Sequence, residues 1–152
     1  HTLRMLLGEL RQNHIVAVLV DQWSGHRGLW LDFFGRPTST TSLPARLAKK
    51  TGATLLPVIC IRTRPGNYKI FVRPEIPVAE GEGWEKETTL EINRWLEKEI
   101  GLRPGQWIWS HRRWKDKSRS IPPPRPRRKP QDESRRSETV PFSDSASAES
   151  VR

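Results

Sequence analysis

An α/β layered domain, with a partly parallel sheet and flanking helices, is the fold class that three features predict. Two apolar, β-branched runs, IVAVLV at 15–20 and TLLPVICIRT at 54–63, have the composition of strands buried on both faces of a parallel sheet. Segments with helical apolar spacing alternate with these runs. The resulting order of helix, buried strand, helix, buried strand, hairpin and helix is one that stacks helices on a sheet.

Leu3, Leu6, Leu7 and Leu10 follow the i, i+3, i+4, i+7 rule, so residues 2–12 read as an amphipathic helix that Asn13 and His14 end. IVAVLVD, 15–21, is the first strand, and QWSGHRG, 22–28, is a loop. LWLDFF, 29–34, is a second extended segment, broken by Gly35 and Pro37. Residues 42–50 form a short helix carrying Leu43 and Leu47, with Gly52 as its C-cap. The strand at 54–63 turns at RPGN, 64–67, and YKIFVRPEI, 68–76, pairs back as a hairpin. Residues 77–83 are loop. From Trp84 a helix carries Ile92, Trp95, Leu96 and Ile100 on one face, until Gly101 and Pro104 stop it. GQWIWSHRRWKDK, 105–117, is a compact terminal segment, and there is no internal repeat.

The 152 residues suit one domain plus extras, and the start at His1 without a methionine points to a piece of a longer chain. The folded unit is expected over 1–118. Beyond it, IPPPRPRRKP and a Ser-, Glu- and Arg-rich remainder lack the apolar residues that offset ordering entropy, so 119–152 is expected to be disordered. PPPRPRRKP is either a solvated tail or a ligand for an SH3-like groove or anionic lipid. Of the net charge of +10, the tail holds eight Lys/Arg and five Asp/Glu, leaving 19 and 12 in the folded part. That excess suits a surface meeting anions, such as phospholipid head groups, phosphorylated sugars, an acidic carrier protein or nucleic acid; general solubility is the plainer alternative. Cys60 stands alone, which rules out an intrachain disulfide and any multi-cysteine zinc site, and its apolar strand makes it a small core residue. The longest apolar run, 15–20, is far short of a bilayer span, and no signal peptide is visible.

No glycine-rich phosphate cradle, helical histidine pair or serine nucleophile elbow is present. Four stretches stand out: DQWSGHRG, FFGRPTSTTSLPARLA, TLLPV and QWIWSHRRWK. In order and spacing they resemble the bacterial lipid A biosynthesis acyltransferases of the lauroyl/myristoyl type, within the lysophospholipid acyltransferase superfamily. The resemblance covers about residues 3–117. Each motif is weak alone, and the ordered set is specific. One departure is Leu43, where the family usually has glycine before the proline-alanine pair seen here as Pro44 and Ala45.

The resemblance aligns the chain with the C-terminal part of such an enzyme, hence an incomplete acyltransferase domain. The family's catalytic dyad, a histidine and an acid separated by four residues, belongs to the N-terminal half. HRRWKD has that spacing at His111 and Asp116, yet it falls on the family's terminal HRRWK, so the pair reads as a decoy with no catalytic role. Five residues along a regular helix are also about 140° apart, which puts the pair on different faces. His1, His14 and His26 are followed at the same spacing by Leu6, Leu19 and Leu31, so no catalytic residue is expected in this chain.

Substrate handling is what remains. Asp21 and Gln22 close a strand, and ligands collect at the carboxyl ends of strands in such sheets. The resemblance places this loop beside the active site, with Arg27 able to grip a phosphate or phosphopantetheine group. The alternatives are that Asp21 caps a loop and Arg27 is solvated. Phe33 and Phe34 either line an acyl channel or fill core; Gly35 serves a turn, Thr40 and Thr41 cap a helix, and Arg46 is solvated. Trp107, Trp109 and Trp114 alternate with His111, Arg112, Arg113 and Lys115. Three readings of that pattern stay open: contact with a membrane or lipid substrate, closure of the core under a basic exterior, or a single-stranded nucleic-acid platform.

The resemblance implies transfer of a fatty acyl group from an acyl carrier protein thioester to a hydroxyl of a lipid A precursor or related glycolipid. It implies no metal or tightly bound organic cofactor, and a place at the cytoplasmic face of the bacterial inner membrane. The fragment alone is expected to be inactive. The rivals are a basic nucleic-acid-binding module and a non-catalytic membrane-associated protein derived from an acyltransferase.

Overall fold

The computed structural model describes residues 2–115. In order they form α1 (Thr2–Arg11), β1 (Leu29–Phe33), β2 (Arg36–Thr40), α2 (Leu43–Thr51), β3 (Val58–Arg64), β4 (Asn67–Val72) and α3 (Trp84–Leu102), followed by single 3-10 turns at Pro104–Gln106 and Trp109–His111. The expected tail, 119–152, lies outside the described residues.

Helices and hairpins mix as an α/β domain, but among the described residues the expected partly parallel sheet is not formed. Both sheets are antiparallel pairs, β1 with β2 and β3 with β4. The reason lies at residues 15–20. They run extended, and exposure alternates along them, with Val16, Val18 and Val20 half-buried while Ile15 and Leu19 are 96% and 78% exposed. That is strand geometry without a ladder. Instead of lying against β3, the segment is separated from it by a cavity of about 340 Å³ whose walls include Val18–Asp21 and Val58–Ile61.

β2 is the element that sequence periodicity misses. Pro37 and the hydroxyl run Thr38–Ser39–Thr40 lack a strand's apolar alternation, yet β2 pairs fully with β1, from Leu29 opposite Thr40 to Phe33 opposite Arg36. Phe34 and Gly35 form the two-residue turn, both at positive φ (54° and 71°), the backbone a tight right-twisted hairpin demands. Two side chains hold it: Asp32 Oδ1 accepts the Gly35 N–H at 2.9 Å, and Glu97 Oε1 accepts the Phe34 N–H at 2.6 Å. Proline is tolerated in β2 because it is an edge strand.

α3 lies across this hairpin. Phe33, Leu96 and Ile100 form the buried cluster, with Val20, Trp95, Trp107 and Trp114 packed around it. Full burial of Phe33 alone stabilises by roughly 1.5–3 kcal/mol. Polar links accompany the apolar ones: Asn93 Nδ2 donates to the Asp32 carbonyl at 2.9 Å, and buried Glu99 pairs with Arg73 and Arg103 at 2.9 and 3.3 Å. α2 begins with proline in its first turn and ends at Gly52, whose φ of 72° and N–H to the Ala48 carbonyl make the expected C-cap. α1 packs against α2 but buries no residue completely.

β3 and β4 form a hairpin whose cross-strand partners, Val58 with Val72, Cys60 with Ile70 and Arg62 with Tyr68, share one exposed face. Cys60 is therefore an exposed thiol, not a core residue. The correction has a simple cause: Ile59 and Ile61 take the inward positions, and alternation turns Cys60 out.

Gly28 enters β1 where no side chain fits. A Cβ there would lie 2.8 Å from the Thr40 carbonyl oxygen and 2.9 Å from Ser24 Cβ, and closer still to the Ser39 hydroxyl. Gly28→Ala is expected to destabilise by about 1–3 kcal/mol in thermal unfolding. Gly8→Ala, at a helical position with open space around it, should instead stabilise by about 0.5–1 kcal/mol.

Candidate functional site

Two distant pieces of chain, the 21–28 loop and the 107–115 segment, meet at one place, and Arg113 joins them. Its guanidinium is fully buried. Nη1 donates to the Gln22 carbonyl and, at 2.8 Å, to the Ser39 carbonyl; Nη2 donates to Thr40 Oγ1 at 2.9 Å. The Thr38 hydroxyl donates to the Arg113 carbonyl, and the guanidinium carbon lies 5.0 Å from the centre of the Phe33 ring. Burial lowers the Arg113 pKa to about 10, opposed by the charge of Asp21, so the group stays cationic at neutral pH. Its Nε has no partner among the described residues.

Arg113 is therefore a structural tie. Its expected role at a lipid surface is corrected by its burial: a fully enclosed guanidinium cannot reach a head group. The other residues of that segment divide in a similar way. Trp114 donates from Nε1 to the Phe33 carbonyl at 3.0 Å and lies half-buried under the Arg36 guanidinium, 5.7 Å from its ring centre. Trp107 is half-buried and meets Phe33, Trp109 and Trp114 edge-on, at 4.6–5.9 Å between ring centres. These two rings close the core. Trp109 remains 52% exposed, with Nε1 bonded to the Pro104 carbonyl at 2.8 Å, and Arg112 and Lys115 are exposed.

A small polar cavity of about 200 Å³, open to the surface, is lined by Gln22, Trp23, His111 and Lys115. Lys115 Nζ sits 4.2 Å from the centre of the Trp23 ring, and His26 meets that ring edge-on. Of the substrate-binding residues expected from sequence, Gln22 lines this cavity. Asp21 does not line it: half-buried, it lines the larger cavity that also borders β3 and is the counter-charge to Arg113, and Arg27 is exposed on the same loop, in no ion pair among the described residues. Trp23 was missed, although an aromatic next to Asp21–Gln22 was a visible signal. His111 lines the cavity with an exposed side chain, while Asp116, its expected decoy partner, lies outside the described residues. Among the described residues no cluster of three His, Cys, Asp or Glu is placed to hold a metal, and no helix is long and apolar enough to cross a membrane.

The family described as bacterial lipid A biosynthesis acyltransferase matches residues 1–116. A lipid A biosynthesis palmitoleoyltransferase of Escherichia coli (strain K12) is 31% identical over 121 residues, covering 76% of this chain and 38% of the relative. A phosphatidylinositol mannoside acyltransferase of Mycobacterium tuberculosis (strain ATCC 25618 / H37Rv) is 28% identical over 111 residues, covering 72% of this chain and 34% of the relative. The chain thus spans little more than a third of the length of the curated relatives it matches.

Arg113→Ala would leave the Gln22 and Ser39 carbonyls and the Asp21 charge without their cation. It should cost about 3–5 kcal/mol in chemical denaturation. Arg112→Ala, one residue away and exposed, should change stability by less than about 0.5 kcal/mol.

Proposed function

Because the chain belongs to the bacterial lipid A biosynthesis acyltransferase family, we propose that it is the substrate-handling part of an enzyme that acylates a glycolipid. The donor is an acyl carrier protein thioester, and the acceptor is a hydroxyl of a lipid A precursor or a related glycolipid. A histidine outside this chain removes the hydroxyl proton, its acid partner holding the imidazole. The oxygen attacks the thioester carbonyl carbon, and the tetrahedral intermediate collapses with cleavage of the C–S bond. The departing thiolate takes the proton from the histidine, and an ester and a free thiol result.

The observation that carries this reading is the match over residues 1–116 together with the meeting of its first and last motifs at one polar cavity. The names of the relatives support a glycolipid acceptor, since lipid A and phosphatidylinositol mannoside both join sugar to acyl chain. Lys115 and the Gln22 side chain suit a phosphate or amide group entering the cavity, and Arg27 stands on the same loop for a second anionic contact.

Contact with the cytoplasmic face of the inner membrane belongs to the same proposal. Leu102, Ile108 and Trp109 are exposed at 61%, 55% and 52%, close in sequence to the exposed Arg112 and Lys115. Indole and cation together suit the head-group layer. A nucleic-acid platform is less well supported, because Trp107 and Trp114 are engaged with Phe33 and do not present free faces for stacking bases.

Grafting residues 2–115 in place of the matched segment of the Escherichia coli relative tests the function. A folded chimera given acyl carrier protein thioester and a lipid A precursor should form acylated glycolipid, and failure to do so would overturn the proposal. Gln22→Ala and Lys115→Ala in that chimera should each lower turnover about tenfold or more through lost positioning. The 152-residue chain alone should form no product; if it does, the proton-abstracting pair is not outside it.

A further inference from the structure

We propose that the outer face and tip of the β3–β4 hairpin are a docking surface for an acidic protein helix. On the acyl-transfer reading that helix belongs to the acyl carrier protein that delivers the thioester. The partner's identity rests on that reading, whereas the surface rests on charge and exposure alone.

Residues 54–74 carry four Lys/Arg and no Asp/Glu. Arg73 is paired with Glu99 at 2.9 Å. Arg62, Arg64 and Lys69 are exposed and in no ion pair among the described residues. Gathered around one turn, these cations repel one another, and an anionic partner relieves that repulsion. Apolar side chains continue the surface. Val58, Cys60 and Arg62 stand opposite Val72, Ile70 and Tyr68 across the ladder, and all six are exposed, Ile70 at 70% and Val72 at 63%. The face is therefore graded, apolar at the base and cationic at the turn, over about 13 Å from Val58 to Arg62. A helix of two to three turns has about that length.

The tip is anchored next to the candidate site. The Arg62 N–H donates to Gln106 Oε1 at 2.9 Å, and the Arg62 carbonyl accepts from Gln106 Nε2 at 3.1 Å. Gln106 directly precedes Trp107, so the hairpin is tied to the segment whose His111 and Lys115 line the polar cavity. A register shift between Arg62 and Arg64 adds local twist, the kind of irregularity that re-aims side chains near a strand end. A bilayer fits this grading less well than a helix does. Entering tip-first would carry three charges into the lipid ahead of the apolar residues, and the hairpin has no tryptophan for the head-group layer. An amphipathic helix with acids towards one end meets both halves of the face at once. Opposite charge steers its approach, and apolar contact holds it there.

The test uses the 152-residue chain and an acyl carrier protein without its phosphopantetheine arm, so no acyl transfer is involved. Cys60, the chain's one cysteine, lies within the face, and its alkylation read by mass spectrometry reports occupancy. Saturating carrier should slow that alkylation about tenfold, and raising salt from about 50 to about 500 mM should remove the protection. The charge reversal R62E/R64E/K69E should weaken carrier binding at least about tenfold in fluorescence anisotropy, as should Tyr68→Ser combined with Ile70→Ser. R4E/R11E/K50E makes the same change of net charge at exposed positions of α1 and α2 and should bind within about twofold of the original chain. Circular dichroism checks each variant's fold; if a variant unfolds, Cys60 protection in the original chain and its salt dependence decide. Undiminished binding after the hairpin reversal, an equal loss in the α1/α2 control, or no protection of Cys60 would overturn the proposal. So would equal protection by phosphatidylglycerol vesicles, or by dimerisation seen in light scattering. If the chimera forms no acylated glycolipid, the acyl-transfer reading fails by itself, and Cys60 protection still decides the docking surface.

Discussion

Everything near the candidate site depends on one buried cation. Arg113 is enclosed between β2, the loop after residue 20 and the ring of Phe33, and its donors reach carbonyls from two different parts of the chain. Such a charge is not a net source of stability, since desolvation offsets much of its attraction to Asp21. What it contributes is uniqueness. Any arrangement that separates the terminal segment from the Gln22 loop strands a guanidinium and several carbonyls, so the two motifs that flank the polar cavity are held in register.

The terminal segment also shows how one stretch can be core and rim at once. Trp107 and Trp114 are drawn inward against Phe33, while Arg36 and Lys115 cover aromatic faces from the solvent side. Alternation in this segment is interrupted by two 3-10 turns and by Arg112 in the left-handed region, φ 46°. Those breaks let neighbouring arginines face opposite ways: Arg112 is in water and Arg113 in the interior. Core closure and a cationic exterior, which look like rival readings of HRRWK, are realised by different side chains of the same run.

How much was legible in sequence follows from how local each signal is. α3, α2 with its Gly52 cap, and the β3–β4 hairpin around Pro65–Gly66 announce themselves through periodicity and turn chemistry, and the structure has them within a few residues. The strand at 15–20 was half legible. Its extended form and inward valines follow from composition, whereas pairing is a property of what lies next to it. β2 was hidden because Thr38, Ser39 and Thr40 are buried as hydroxyls, satisfied by Arg113, Gly25 and each other, a solution no hydropathy pattern encodes. The site was legible as two motifs and not as one cavity. Nothing in the order of letters says that Gln22 and Lys115 are neighbours, or which of two adjacent arginines is inside.

The turn at Phe34 carries a different lesson. A phenylalanine there adopts a backbone conformation suited to glycine or asparagine, held by Glu97, with its ring 39% exposed and 6.1 Å from that of Trp109. Laboratory selection for heat tolerance alone would tend to replace it with a more relaxed residue and discard the paired aromatic tip in doing so. Libraries built on this scaffold should therefore be screened at that position for what the hairpin touches as well as for how firmly it folds.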